Sequence, residues 1–145
     1  MEEIDRVSAE TVDAAIRIHR ELGPGLLESV YETVLAASLA RSGLKVARQV
    51  PIDIKYDGMR FEAAFRIDLL VDDQLVVEIT SLERIAPVHA KQLITYLRLM
   101  KQPVGLLLNF GGETMKEGIR RMVNNYYSPS SSASPRLRAK SEYGE

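Results

Sequence analysis

Cysteine is absent from this 145-residue sequence, and histidine occurs only twice, at His19 and His89. The lack of cysteine excludes a disulfide scaffold, a thiolate zinc site and a cysteine nucleophile. Because histidine is so scarce, any metal site must be built mainly from oxygen ligands. Such a site suits Mg²⁺ or Mn²⁺ better than Zn²⁺.

Long apolar stretches are also missing from the sequence. No run approaches the ~18 residues that a membrane span requires. The acidic start, MEEIDRVSAE, lacks the apolar segment of a secretory signal. We therefore expect a cytoplasmic protein that does not enter a membrane.

Neither sign of charge dominates, because 19 Lys and Arg residues stand against 20 Asp and Glu residues and the net charge is −1. Proteins that hold long nucleic acids through phosphate contacts alone are usually basic. The balance of charge therefore argues against a pure nucleic-acid-binding protein. It is compatible with an enzyme that meets nucleic acid at one small site containing a metal ion.

The length and the 46% hydrophobic content fit one globular domain, which we place at residues 1–127. Residues 128–145 are rich in Ser and Pro and almost free of apolar side chains, which predicts a disordered tail. The tail carries three basic residues that could contact phosphate, although a solvated tail is the simpler interpretation. These residues are Arg136, Arg138 and Lys140.

Two helices are expected at the start of the domain. Ser8 is the candidate N-cap of the first, and Gly23-Pro24-Gly25 ends it. The second begins near Leu27 and ends at Gly43. Apolar positions at helical spacing predict the buried stripes, which are Val12, Ala15, Ile16, His19 and Leu22 in the first helix and Leu27, Val30, Tyr31, Val34, Leu35 and Leu39 in the second.

After Gly43 the apolar pattern alternates with period 2, which predicts strands. Three strands are expected, over Val46–Tyr56, Met59–Val71 and Leu75–Thr80. Asp57-Gly58 is a strong signal for a hairpin turn between the first two. Asp72-Asp73-Gln74 separates the second strand from the third.

The rest of the domain is expected to contain a helix, a buried strand and a final helix. Pro87 begins the first of these helices, since proline is favoured at a first helical position. VGLLLN, residues 104–109, reads as a fully buried strand, and the last helix is expected over about Thr114–Asn125. The apolar face of the helix after Pro87 consists of Val88, Leu93, Tyr96, Leu97 and Met100. The order α-α-β-β-β-α-β-α predicts an α/β fold with one mixed sheet of about four strands flanked by helices.

Asp68 and Glu78 are the sharpest indication of chemistry. If the connection between their strands has three residues, Asp68 lies directly opposite Glu78, whereas a two-residue connection puts them on opposite faces. Facing carboxylates in a buried sheet repel each other and are poorly hydrated. A basic partner, a shared proton or a divalent cation would relieve this repulsion. The plain structural alternative is an ion pair with Arg66 or Arg84.

Five sequence blocks in order carry a family resemblance. GLLESVY (25–31) matches a GxxExxY signature, and it is followed by FRIDLLV (65–71), VVEIT (76–80), PVHAKQLITYLRL (87–99) and GLLLNF (105–110). Together they resemble the small GxxExxY proteins, a branch of the PD-(D/E)XK nuclease-like superfamily. The resemblance covers roughly Val7 to Asn125 and implies a restriction-endonuclease-like core.

The resemblance also implies a site. In the nuclease branch, a helix acid, a strand Asp and the Glu of an ExK motif bind Mg²⁺ or Mn²⁺, and these correspond to Glu28, Asp68 and Glu78. The backbone carbonyl of Ile79 would complete the metal shell. A helical QxxxY motif that supports the site in related nucleases corresponds to Gln92 and Tyr96.

Simpler structural roles are open for these and neighbouring residues. Glu28 could be a solvated acid at a helix N-terminus, and Tyr96 could be a core residue. For Tyr31 we favour core packing. For His89, which falls on nearly the same helix face as Gln92, we favour packing or capping over metal ligation.

The sequence departs from the family pattern at Thr80, where the ExK motif should end in lysine. Losing one positioned electrostatic stabiliser typically costs ~100- to 1000-fold in rate. Lys91 points about 100° away from the Gln92 face, and Lys101 closes the same helix. Arg66 and Arg84 could supply charge but are poor proton acceptors. None of these four is a convincing replacement.

Three classes of function stay open. The first is a weak metal-dependent nuclease, and the second is a catalytically inactive relative that binds nucleic acid or a protein. The third is a structural domain in which the acids form only an ion-pair network. The sequence does not decide between DNA and RNA as substrate, or between a monomer and a homodimer.

Overall fold

A computed structural model describes residues 2–124 of the chain. It contains two N-terminal helices, α1 (Glu3–Leu22) and α2 (Glu28–Arg41), and a third helix, α3 (Pro87–Met100). The strands are β1 (Val46–Tyr56), β2 (Met59–Val71), β3 (Leu75–Thr80), β4 (Val104–Asn109) and β5 (Ile119–Val123). A short 3₁₀ helix, Lys116–Gly118, precedes β5.

The five strands form one mixed sheet in the order β1-β2-β3-β4-β5. Among the strands of residues 2–124, only β3 and β4 pair in parallel, and α3 provides the crossover between them, as parallel neighbours require. The expected mixed α/β architecture is therefore confirmed. The described part of the chain contributes five strands to the sheet, where about four were expected.

Helices cover both faces of the sheet. On one face, the apolar sides of α1 and α2 pack on β2, β3 and β4 in a core that includes Tyr31, Leu69, Val77 and Leu106. On the other face, Leu93 and Leu97 of α3 pack in a second, smaller core. β4 is buried along its whole length because it lies between both layers, as its unbroken apolar sequence predicts.

The connection between β2 and β3 has the three residues expected from the sequence. Val71 pairs with Leu75, and Leu70 and Leu69 pair with Val76 and Val77. Asp72 and Asp73 both have positive φ angles, of 52° and 57°, a conformation that Asp tolerates better than most residues. This turn sets the register that places Asp68 opposite Glu78.

The first helix begins earlier than expected, and the N-cap assignment of Ser8 was wrong. α1 starts at Glu3, and Ser8 is a buried residue in its second turn. Ile4 and Val7 extend the apolar stripe toward the N-terminus, while Glu3 and Asp5 suit the positive end of the helix dipole. Packing and dipole together favour the longer helix.

Four expected core positions on helices are exposed instead. α2 begins one residue after Leu27, and its buried face is turned toward Glu32 and Ala36. The buried stripe that helical spacing predicts for α2 is therefore rotated about the helix axis relative to the observed buried face. The exposed residues are Leu22, Leu27, Val30 and Val88.

The expected last helix was also wrong, because the chain forms the 3₁₀ turn and β5 where Thr114–Asn125 was predicted to be helical. β5 pairs antiparallel with β4 from Ile119–Leu108 to Val123–Val104. The hydrogen-bonding edge of β4 would otherwise be unpaired, so sheet pairing outweighs a weak helical pattern. Asn125 and the predicted tail, residues 128–145, lie outside the described residues.

Candidate active site

Asp68 and Glu78 meet where β2 and β3 begin to diverge. The regular strand pairs end at Leu69–Val77. Beyond this pair, the side-chain carboxylates of Asp68 and Glu78 accept the hydrogen bonds between the two strands. The Asp68 backbone N–H donates to Glu78 Oε2 at 2.9 Å, and the Ile79 backbone N–H donates to Asp68 Oδ2 at 2.8 Å. The two acids are thus fixed on neighbouring strands at the same level of the sheet.

Neither carboxylate has a basic partner within residues 2–124. The ion pairs found there involve other acids, and no Lys, Arg or His nitrogen lies within 4.0 Å of Asp68 or Glu78. The ion-pair alternative with Arg66 or Arg84 therefore does not occur in the described structure. This leaves a shared proton or a cation as the means of relieving the repulsion.

The surroundings of the pair disfavour its negative charges. Burial raises the pKa of Glu78 to about 8, and the charge of Asp68 adds to this rise. Burial also raises the pKa of the Asp68 carboxyl, against the opposing effect of hydrogen bonds from Ile79 and Gln49. Glu32 and Glu28 shift both pKa values further upward. Glu28 and Glu32 therefore add to the unfavourable charge at the Asp68–Glu78 pair.

Glu28 is the first residue of α2 and is exposed. Its side chain lines a surface cleft of about 680 Å³, together with Ser81 and Leu82 from the segment after β3. It is close enough to Asp68 and Glu78 to influence their pKa values. However, no three His, Cys, Asp or Glu side chains within residues 2–124 converge tightly enough to hold an ion as they stand.

Sequence reasoning missed Glu32 and Gln49. Glu32 is only 7% exposed and receives hydrogen bonds from Arg48 Nε at 3.1 Å and from Gln49 Nε2 at 2.7 Å. Gln49 Nε2 also lies 3.2 Å from Asp68 Oδ1. One signal was available for Glu32, since it follows Glu28 by four residues and so shares its helix face.

Ile79 and Thr80 connect the site to β4. The Ile79 N–H binds Asp68, while its side chain is buried among the core residues below α1 and α2. The Thr80 hydroxyl donates to Asn109 Oδ1 at 3.0 Å. Asn109 also binds the backbone of Leu82 and Gly111. Thr80 is therefore part of a hydrogen-bond cluster that holds the loop after β3.

The residues expected to support the site from α3 differ in their environments. Tyr96 stacks on Phe65 of β2 with ring centroids 4.0 Å apart. Burial, together with the charges of Glu78 and Asp68, raises the pKa of Tyr96. Gln92 is exposed. His89 Nδ1 accepts the Ala86 N–H at 3.2 Å, which confirms the capping role favoured for it.

Tyr31 is fully buried and stacks on Phe110 at a centroid distance of 4.4 Å, which confirms the core role. Its hydroxyl donates to the Gly23 carbonyl at 2.5 Å and accepts the Leu26 N–H at 3.1 Å. These bonds secure the segment that leads into Glu28.

We expect Tyr31→Phe to lower the free energy of unfolding by about 1–2 kcal/mol, because it removes the two partly buried hydrogen bonds to the Gly23 carbonyl and the Leu26 N–H. Urea denaturation measures the change. Tyr56→Phe is the matched control, since Tyr56 is 73% exposed and should change stability by less than about 0.5 kcal/mol. Equal losses in the two variants would contradict the role assigned to the Tyr31 hydroxyl.

The described part of the chain contains no helix that is both long and apolar enough to cross a membrane. A search of curated proteins finds no match to the sequence. Among solved structures, the chain is similar to the "Crystal structure of SSO0001", with 17% identity, a TM-score of 0.39, and coverage of 93% of this chain and 75% of the other. That score is too low to indicate a shared fold.

A family model provides the decisive comparison. The model described as the PD-(D/E)XK nuclease superfamily matches residues 5–122. The matched region spans α1 through nearly all of β5, and so includes both carboxylates at the divergence of β2 and β3. The chain belongs to the PD-(D/E)XK nuclease superfamily.

Proposed function

We propose that this protein is a divalent-metal-dependent nuclease that hydrolyses phosphodiester bonds, with Asp68 and Glu78 at the centre of its site. The observation that carries this proposal is the pair itself. Two carboxylates lie side by side with raised pKa values and without a basic partner among residues 2–124. A partly buried pair of this kind is unfavourable for folding alone, because both charges lose hydration and repel each other.

The residues present fit Mg²⁺ or Mn²⁺, which prefer oxygen ligands. Asp68 and Glu78 would hold the ion from the sheet, with the Ile79 carbonyl beside them and Glu28 approaching from α2. Because no three acids converge in the described structure, Glu28 must move its exposed side chain to join them. When bound, the ion would supply Lewis-acid stabilisation to a phosphoryl oxygen.

The chain's own residues set the limits of the activity. Burial and the charges of Glu78 and Asp68 raise the pKa of the Tyr96 hydroxyl, and the ring is held by its stack on Phe65. The hydroxyl could therefore help to orient a substrate. Thr80 occupies the position of the ExK lysine and brings no positive charge to the transition state. We therefore propose a weak activity.

A second candidate function is binding of nucleic acid without cleavage. It is supported by the Thr80 hydroxyl, which donates to Asn109, and by the lack, among residues 2–124, of any Lys nitrogen within 4.0 Å of Asp68 or Glu78. In that case the protein would keep the nuclease fold and bind the cation, but it would not hydrolyse phosphodiester bonds.

Calorimetry with Mn²⁺ tests the site. We expect the wild-type protein to bind the ion, and Asp68→Asn and Glu78→Gln to lose binding while keeping similar side-chain shapes. Glu62→Gln is the control, since Glu62 is an exposed carboxylate on β2 and should leave binding unchanged. A wild-type protein that does not bind Mn²⁺ would rule out the metal-dependent function.

Cleavage assays on single- and double-stranded DNA and RNA, with and without Mn²⁺, separate the two candidates. Mn²⁺-dependent cleavage that disappears in Asp68→Asn supports the nuclease. Mn²⁺ binding and salt-dependent binding of nucleic acid, without cleavage of any substrate, supports the binding protein.

A further inference from the structure

Gln49 lies directly opposite Asp68 across β1 and β2. The pairs on either side, Arg48–Leu69 and Val50–Ile67, place it there. Its φ angle is +49°, in the left-handed region, so the regular β conformation is interrupted at this residue. A non-glycine residue in this conformation is strained. Strain of this kind persists only where surrounding contacts hold the residue in place.

The contacts that hold Gln49 are made by its amide. Gln49 Nε2 donates to Glu32 Oε1 at 2.7 Å and lies 3.2 Å from Asp68 Oδ1. Both partners are carboxylate oxygens, which accept hydrogen bonds when ionised. The two hydrogens of the amide nitrogen can therefore serve one acid each, and the orientation of the amide is determined by its neighbours.

Glu32 provides a firm anchor for this amide. It is nearly buried on α2, and its second oxygen accepts a hydrogen bond from Arg48 Nε at 3.1 Å. Arg48 in turn donates to the Thr33 hydroxyl at 2.9 Å. Gln49 is thus tied to the helix, and through it Asp68 is tied to the helix as well.

The two oxygens of Asp68 are held from opposite sides. Oδ2 accepts the Ile79 N–H on β3, and Oδ1 faces the Gln49 amide on β1. Without Gln49 the Ile79 contact alone would remain, and the carboxylate could rotate about it. A carboxylate that rotates freely is a poorer ligand, because its orientation must be fixed again when an ion binds.

We propose that Gln49 is a positioning residue that holds Asp68 toward Glu78 by linking it to Glu32. The inference rests on the metal-dependent function proposed above. It assigns to Gln49 no contact with the ion or with a substrate, only control of the direction in which Asp68 presents its oxygens.

Two substitutions test the amide separately from the backbone. Gln49→Met keeps the length of the side chain and removes the amide, while Gln49→Gly removes the amide and also relieves the positive φ angle. We expect both variants to bind Mn²⁺ about 10- to 100-fold more weakly than wild type in calorimetry, which is the usual effect of losing a residue that orients a ligand. Gln49→Gly should unfold at a higher urea concentration than Gln49→Met.

The matched control is Thr33→Val, which removes the hydrogen bond from Arg48 to the Thr33 hydroxyl. This substitution leaves the contacts among Glu32, Gln49 and Asp68 intact, so the Mn²⁺ affinity of the variant should equal that of wild type. If Mn²⁺ binds both Gln49 variants as tightly as it binds wild type, the positioning role is overturned while the metal site stands. Weakened binding in Gln49→Met but not in Gln49→Gly also overturns it, since the backbone rather than the amide would then be responsible. Failure of the wild-type protein to bind Mn²⁺ refutes the proposed function itself.

Discussion

Replacing Thr80 by lysine should raise the rate of Mn²⁺-dependent phosphodiester cleavage about 100-fold. The lysine would restore a positive charge beside Glu78, where negative charge develops in the transition state, and one such stabiliser is typically worth a factor of ~100 to 1000. The substitution breaks the hydrogen bond from Thr80 to Asn109, but Asn109 keeps its bonds to Leu82 and Gly111. Plasmid nicking under identical conditions compares the two proteins.

The control for this experiment is Thr80→Val, which has nearly the shape of threonine but neither hydroxyl nor charge, and which should show no gain. Adding Asp68→Asn to Thr80→Lys should remove the gained activity. A folded Thr80→Lys protein that binds Mn²⁺ but cleaves no faster than wild type would contradict the view that the missing charge limits the reaction. The binding function would then be the better account.

The second large effect concerns pH and stability. Because burial and Asp68 raise the pKa of Glu78 from its ordinary value of 4.5 to about 8, the folded protein binds a proton that the unfolded chain releases near pH 4.5. The free energy of unfolding should therefore fall as the pH rises from about 4.5 to 8, and level off above that range. One pKa unit corresponds to about 1.4 kcal/mol, so the total loss should amount to a few kcal/mol.

Urea denaturation at intervals between pH 5 and pH 9, without divalent cations, measures this loss. The Glu78→Gln variant cannot ionise at this position and should show a flatter profile, while the other titrating groups are common to both proteins. Mn²⁺ should stabilise the wild type more at pH 8.5 than at pH 6, since at the lower pH the ion must displace a proton. Parallel pH profiles for wild type and Glu78→Gln would contradict the raised pKa.

Local sequence signals predicted the strands that carry the site. The alternation in Val46–Tyr56 and Met59–Val71, the Asp57-Gly58 turn and the three residues after Val71 are short-range features, and each determines its structure within a few residues. With a three-residue connection, the register that follows from these features predicts Asp68 opposite Glu78, and the pairing of Val71 with Leu75 has that connection.

The features that sequence reasoning missed depend on contacts between distant segments. β5 forms because the edge of β4 is available to Ile119–Val123, and no local pattern reveals a free edge. Gln49 matters because Glu32 and Asp68 lie on either side of its amide. On the sequence alone it is an ordinary polar residue in an alternating strand.

The hairpin formed by β1 and β2 extends beyond the rest of the sheet. Residues 55–64 are exposed throughout, and the pairs Ile54–Phe61 and Tyr56–Met59 join its two strands. Since this end of the hairpin contributes little to either core, residues can be added to or removed from it in matched pairs without disturbing the fold. It is therefore a natural place for evolution to vary the length of the chain, and a suitable position for grafting a reporter peptide at a known distance from Asp68.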